Sequence, residues 1–293
     1  MKALVRVAVL ASGFGAVGQA ARCTTALDPR LLGEYQNYVV TAEHLMAARF
    51  ASGELAWMPG TTSKDAAAEL ASGKLVRSDI SDAALNRRIA AEDGTIIHWV
   101  AAVHIRGATV AHVRSVLEDY GHYDRIYRPM IFACRAQRND GAVYDATLGL
   151  HYKFRFASIL PQHFAFRVKA RIDYSDRAAI DGLPLSVHLR SEEISESVSG
   201  EPGRNDFLPQ YHDHGIIWAL NAYWRACQKG PDVYFEFETI TLARSVQAFV
   251  CKLGFVPVPK SIVAGVMDTL PAELLATIVE RTRTECEKVA SRR

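Results

Sequence analysis

HGIIWALNAYWRACQKGPDVYFEFETITLAR, residues 214–244, reads as two strands joined by a Gly230-Pro231-Asp232 turn. Successive side chains of a strand point to opposite faces. One face collects Trp218, Leu220, Ala222 and Trp224, then Val233, Phe235 and Phe237. The other collects Asn221, Tyr223 and Arg225, then Tyr234, Glu236 and Glu238. One register sets Trp224 opposite Phe235 and Ala222 opposite Phe237, with Tyr223 beside Glu236 and Asn221 beside Glu238. A one-residue slip would put Glu beside Trp, so the pattern holds the two faces apart. One face is dry, or lines a space for an apolar guest, and the other carries polar and charged groups.

Upstream, the chain has the same period of two. Ile97, Trp99, Ala101, Val103 and Ile105 alternate with His98, Val100, Ala102 and His104, and Gly107 ends the strand. Residues 109–120 have helical spacing, with Val110, Val113, Val116 and Leu117 on one side. Strands are predicted at 130–137, 143–155, 164–174 and 185–195, with a turn at Asn139-Asp140-Gly141 and a break at Pro161. Downstream of the hairpin the chain turns helical. A short helix is predicted at 261–268, and a second starting at Pro271, where a missing N–H costs nothing. Leu274, Leu275, Ile278, Val279, Cys286 and Val289 form its apolar stripe. The order strand, helix, antiparallel strands, long helix predicts an α+β fold, with one amphipathic helix covering one face of the sheet.

The N-terminal third differs. Lys2 and Arg6 precede an apolar run at 7–17, and Gly18-Gln19-Ala20 offers small residues at a cleavage site, the pattern of an export signal. The run is too short and too rich in Gly and Ala to span a membrane comfortably. Residues 31–50 read as an amphipathic helix, 53–64 as a loop, and 66–70 and 83–91 as short helical pieces. The expected organisation is a signal peptide at 1–20, a helical extension at 21–94 and one domain at 95–293, in an exported protein of the periplasm or extracellular space.

Composition excludes several classes. Hydrophobic residues make up 49% and charged residues 23% of the 293, ordinary for a soluble globular chain. Thirty-four basic residues face 32 acidic ones, and loss of Lys2 and Arg6 with the signal brings the balance to zero, which gives no footprint for nucleic acid. The five cysteines, at 23, 134, 227, 251 and 286, have no CxxC spacing, so neither a disulfide framework nor a zinc cluster is indicated and single buried thiols are expected. GxSxG, Walker and HExxH motifs are absent.

Four segments resemble the recurrent pattern of an exported bacterial group within the START-like superfamily, also called SRPBCC or helix-grip. Ile97, Trp99, Ile105, Gly107, Ala108 and Thr109 match its first element, and Asp119, Tyr120, Tyr123, Tyr127 and Pro129 its second. Asp213, His214, Gly215, Trp218, Leu220, Asn221, Tyr223, Trp224 and Arg225 match the third. Val233, Tyr234, Glu238, Leu242 and Arg244 match the fourth. Ala219, Arg106 and the Gly230-Pro231-Asp232 turn depart from it. The resemblance implies a curved antiparallel β-sheet wrapped around a long C-terminal helix, and a cavity that binds a hydrophobic small molecule or lipid. It implies no cofactor and no catalytic residue, and transient contact with a membrane surface is compatible with such a ligand.

On that basis Trp218, Trp224, Phe235, Phe237 and Phe166 are the candidate ligand-binding residues, the alternative being a solid core under the last helix. An enzyme of the cyclase, aromatase or hydrolase type would need an inward polar group such as Arg190, Glu192 or Glu238. Glu236 and Glu238 are expected to pair across the sheet with Tyr223, Asn221 or Arg225 as a solvated face, and Arg171 has the same reading. His212-Asp213-His214 offers two imidazoles but no evident third ligand, so a strand entry is the expected role and metal the minor one. Tyr120, Tyr123, Tyr127 and the N-terminal helix are expected to pack at the sheet edge. A third reading is an envelope interaction module whose cavity is filled by side chains.

Overall fold

The computed structural model describes residues 24–51, 64–80, 90–91, 94–156, 160–174, 184–244 and 260–292. The expected signal peptide, the loop expected from residue 53, most of the piece expected at 83–91, Cys23 and Cys251 lie outside them.

The elements are β1 (Thr25–Ala26), α1 (Pro29–Ala51), α2 (Lys64–Ala71), β2 (Val76–Asp79), β3 (Ala90–Ala91), β4 (Gly94–Ile105), α3 (Val110–Leu117) and α4 (Tyr123–Ile126). They continue as β5 (Ile131–Asp140), β6 (Val143–Phe156), β7 (Leu160–Tyr174), β8 (Leu185–Glu196), β9 (His212–Asp213), β10 (Ala219–Lys229), β11 (Asp232–Arg244) and α5 (Lys260–Ala290). One antiparallel sheet runs β2-β4-β11-β10-β8-β7-β6-β5, with β3 also on β4, and β1 pairs separately with β9. The long C-terminal helix packs on β4 and β11, and the sheet closes around it in the helix-grip manner.

Strand parity divides the interior. Trp99, Ala101, Val103 and Ile105 of β4 join the main core with Leu275, Val279 and Cys286 of α5. Val100 and Ala102 point the other way, onto Ala66 and Leu70 of α2. Ile96, Tyr223, Ile240 and Leu242 meet Leu31, Tyr35, Tyr38, Ala42 and Met46 of α1. The part of the sheet made of β4, β11 and β10 is therefore covered on both sides. The outer face of β5–β8 carries exposed Arg135, Thr147, Lys169 and Arg190 instead.

Three expectations change. The hairpin register is offset by two residues: Trp224 faces Phe237, Ala226 faces Phe235 and Arg225 faces Glu236. The loop is the two-residue Gly230-Pro231 between paired Lys229 and Asp232, with Gly230 at φ 59°, and loop length fixes register. A shift of two keeps every side chain on its expected face. Second, α5 is one helix of 31 residues that runs through Pro271. An interior proline forfeits one backbone hydrogen bond, a smaller loss than breaking a helix whose Leu275, Val279 and Cys286 pack in the core beyond it. Third, α1 lies across the outer sheet face and not at an edge.

Candidate functional site: an apolar cavity under the sheet

A cavity of about 30 Å³ lies between the inner face of β5–β8 and β10, the α3–α4 segment and α5. The sheet contributes Ile131, Leu148, Ile172, Tyr174, Val187, Leu189 and Trp224; Leu117, Tyr120, Tyr123 and Tyr127 form the opposite wall, and Ile278 comes from α5. Cross-strand pairing places Trp224 beside Val187 and Ile172 beside Leu189, so these inward residues form one continuous patch. Thr109 starts α3 with a capping box, its hydroxyl accepting from His112 N (3.3 Å) while Thr109 N donates to His112 Nδ1 (3.2 Å).

The tyrosine hydroxyls of the wall are paired within the protein. Tyr120 and Tyr174 share a hydrogen bond of 2.9 Å, Tyr174 donates to Leu117 O at 3.0 Å, and Tyr123 donates to the same carbonyl, one that the end of α3 leaves free. Tyr127 bonds Thr282 Oγ1 at 3.1 Å. Burial pushes the pKa of Tyr120, Tyr123, Tyr127 and Tyr174 above the usual phenol range, so all four stay neutral at physiological pH. The Trp224 indole differs: its Nε1 is buried and has no acceptor among the described residues.

Of the five expected ligand-binding residues, Trp224 lines the cavity. Phe237 stacks on Trp224 with ring centres 4.9 Å apart. Phe235 and Phe166 are core residues of the same side, Phe166 against Tyr152 at 5.7 Å. Trp218 is corrected to the other side of the sheet, in the cluster beneath α1. It precedes β10, where alternation does not yet apply. Its Nε1 donates to Asp213 Oδ1 (2.9 Å) and its ring packs over Gly215.

Tyr120, Tyr123 and Tyr127, expected at the sheet edge, are instead a cavity wall. Their spacing of three and four places them on one side of a helical turn, and that was the available signal. The aliphatic wall residues had no signal beyond strand parity.

The residues an enzyme would use lie elsewhere. Arg190 and Glu192 are exposed. Glu238 is buried, but under α1: Arg225 Nη2 donates to it, as do Arg49 Nη2 (3.1 Å) and, through Nε2, His98 (2.6 Å). Tyr38 OH bonds His98 Nδ1 at 2.8 Å, and Arg225 Nε donates to Glu236 Oε1 at 2.7 Å. The expected pairing with Arg225 is present, while the expected solvation is not, because α1 seals the face. Burial alone would raise Glu238; the positive charge of Arg225, with His98 and Arg49, outweighs it and holds the carboxyl down at about 2. Burial pushes Cys227 up to about 11 and Cys134 and Cys286 up to about 12, so none of these free thiols is a thiolate near neutrality.

The His212-Asp213-His214 segment forms a strand entry. Asp213 Oδ1 accepts from Gly215 N (2.7 Å) and Trp218, and His214 Nδ1 bonds Glu196 Oε1 at 2.8 Å. Among the described residues no three His, Cys, Asp or Glu side chains gather in a metal-binding arrangement.

The antiparallel sheet gripped by α5, with a helical segment between its first strands, is an α+β helix-grip arrangement. No protein-family model and no curated protein matches the sequence. Among solved structures, the chain is similar to the Zhui aromatase/cyclase of Streptomyces sp. R1128, 13% identical over 66% of this chain and 94% of that one, with a TM-score of 0.44. It is similar also to a STAR-related lipid transfer protein of Xanthomonas axonopodis, 11% identical over 66% and 96%, TM-score 0.39. A START superfamily protein from Mycobacterium smegmatis is 12% identical over 67% and 99%, TM-score 0.39.

Proposed function

We propose that this chain is an exported START-like protein that binds or carries an apolar small molecule, a lipid foremost, between the sheet and its C-terminal helix. The observation that carries the reading is the cavity walled by aliphatic and aromatic side chains, with neutral tyrosines as its titratable groups. The resemblance of residues 97–244 to exported START-like chains supports the same ligand class, and the basic, apolar and small-residue order of residues 1–20 supports export. The space of about 30 Å³ holds about two waters. A ligand of lipid size needs several hundred Å³, so binding requires the walls to part.

The test is organic extraction of the purified protein with mass spectrometry of the extract, followed by titration with a neutral fluorescent lipid. Co-purified lipid or saturable binding supports the reading; neither would overturn it. Mass spectrometry of the mature N-terminus, expected at Ala21, tests export.

A second reading, an envelope interaction module with a filled cavity, is favoured by the small volume together with exposed Val40 (51%) and Leu45 (46%) on α1. Failure of ligand binding, with loss of partner association in Val40→Glu/Leu45→Glu, would select it.

A further inference from the structure

One residue of the cavity wall has a polar atom out of balance. Every tyrosine hydroxyl on it is bonded to protein, whereas Trp224 Nε1 is a buried donor with no acceptor among the described residues. The indole is held in place, stacked on Phe237 with an interplanar angle of 24° and beside Val187 across the strand pair. A water in this space would find one donor and apolar walls, fewer than the two to four partners a buried water needs. Among the described residues that line the space there is no Lys, Arg or His to balance an anion. Burying a carboxylate without a partner is far more costly than burying a neutral carbonyl.

We infer that the ligand is a neutral molecule, apolar over most of its surface, that presents one hydrogen-bond acceptor such as a ketone, ester or ether oxygen to Trp224 Nε1. Trp224 is then the residue that sets specificity, against hydrocarbons because they leave the donor unpaired and against carboxylates because no cation meets them. The inference rests on the ligand-binding reading above and adds the chemical class of the ligand.

The test uses three probes of one shape: tetralin, 1-tetralone and tetralin-1-carboxylate. Each is titrated calorimetrically into the full-length mature protein and into Trp224→Phe. Pairing a buried orphan donor is expected to favour the ketone over the hydrocarbon roughly fivefold to 150-fold, with the carboxylate weakest. In Trp224→Phe the ketone and the hydrocarbon are expected to bind within about twofold of each other.

Equal binding of ketone and hydrocarbon by the wild type, a ketone preference that survives in Trp224→Phe, tighter carboxylate binding, or no binding of any probe would each overturn the inference. If lipid still co-purifies in those cases, the ligand-binding reading stands while this one falls. Should Trp224→Phe not fold, the infrared carbonyl stretch of 1-tetralone on the wild type decides. A shift to lower frequency than in cyclohexane supports the bond, and an unshifted band overturns it.

Discussion

Arg225→Met removes the cation between two buried carboxylates and leaves the rest of the outer network in place. Arg225 is 5% exposed, and Glu236 and Glu238 are 0% and 1% exposed. Glu238 keeps Arg49 and His98, while Glu236 loses the guanidinium altogether. Breaking a buried pair from one side costs about 3–5 kcal/mol, because the remaining charge stays in a medium that does not solvate it. Domains have about 5–15 kcal/mol in total, so the variant is expected to be marginal at pH 7.5, with a midpoint lower by about 10 °C. The pH dependence gives a second signature. In the wild type the Glu238 carboxyl is held down, so its contribution is present above the ordinary carboxyl range and is lost as pH falls from about 4.5 toward 2. In Arg225→Met the Glu238 carboxyl loses the largest charge that holds it down and moves up, so the penalty grows as pH rises above that range. Urea unfolding followed by circular dichroism at pH 5 and 7.5 should show the gap between variant and wild type narrowing at pH 5. A loss under about 1 kcal/mol at pH 7.5, or a gap independent of pH, would refute the reasoning.

Gly215→Ala should destabilise by about 2 kcal/mol or more, because Gly215 has φ 75° and an added Cβ would lie 2.6 Å from Arg244 Cβ and 2.8 Å from Trp218 Cζ2; a change within 0.5 kcal/mol in urea unfolding would contradict it. Burial, with the charge of Glu196 adding to it, pushes the Asp213 carboxyl up to about 6. Wild-type stability from this group is therefore greatest below about pH 4 and declines as pH rises to about 6, whereas Asp213→Asn keeps an acceptor and lacks the titration. The variant should gain up to about 3 kcal/mol over wild type at pH 8 and nothing near pH 4, and parallel stability curves would count against it. Val187→Leu adds one methylene into a space of about 30 Å³ and is expected to be neutral or up to about 1 kcal/mol stabilising while weakening ligand uptake. A loss above 1 kcal/mol in thermal unfolding would mean the wall has no room there.

The faces of the hairpin were legible because alternation is a local property of a strand, and it assigned Trp224, Phe235 and Phe237 to one side without knowledge of the loop. Register was not legible to the residue, because Gly230, Pro231 and Asp232 are all turn formers and only the backbone shows which two make the turn. Trp218 defeated the alternation because Gly215 and Asp213 fold the chain back just before β10 begins. The outer polar row read as solvated because a strand does not announce what lies over it. Tyr35, Tyr38, Glu43 and Arg49 of α1 complete that row from 60–205 residues away in the chain. The cavity likewise forms where α3, α4, α5 and five strands of the sheet converge, and no single segment encodes that meeting.

The two-sided cover of β4, β10 and β11 has a mechanical consequence. That end of the sheet is clamped between α1 and α5, while the strands over the cavity have solvent behind them. Stiffness should therefore fall along the sheet from β4 to β5, and amide hydrogen exchange should rise in the same direction. The compliant end is the one that roofs the cavity, so the motion that admits a guest is expected there, with the clamped strands acting as its fixed frame.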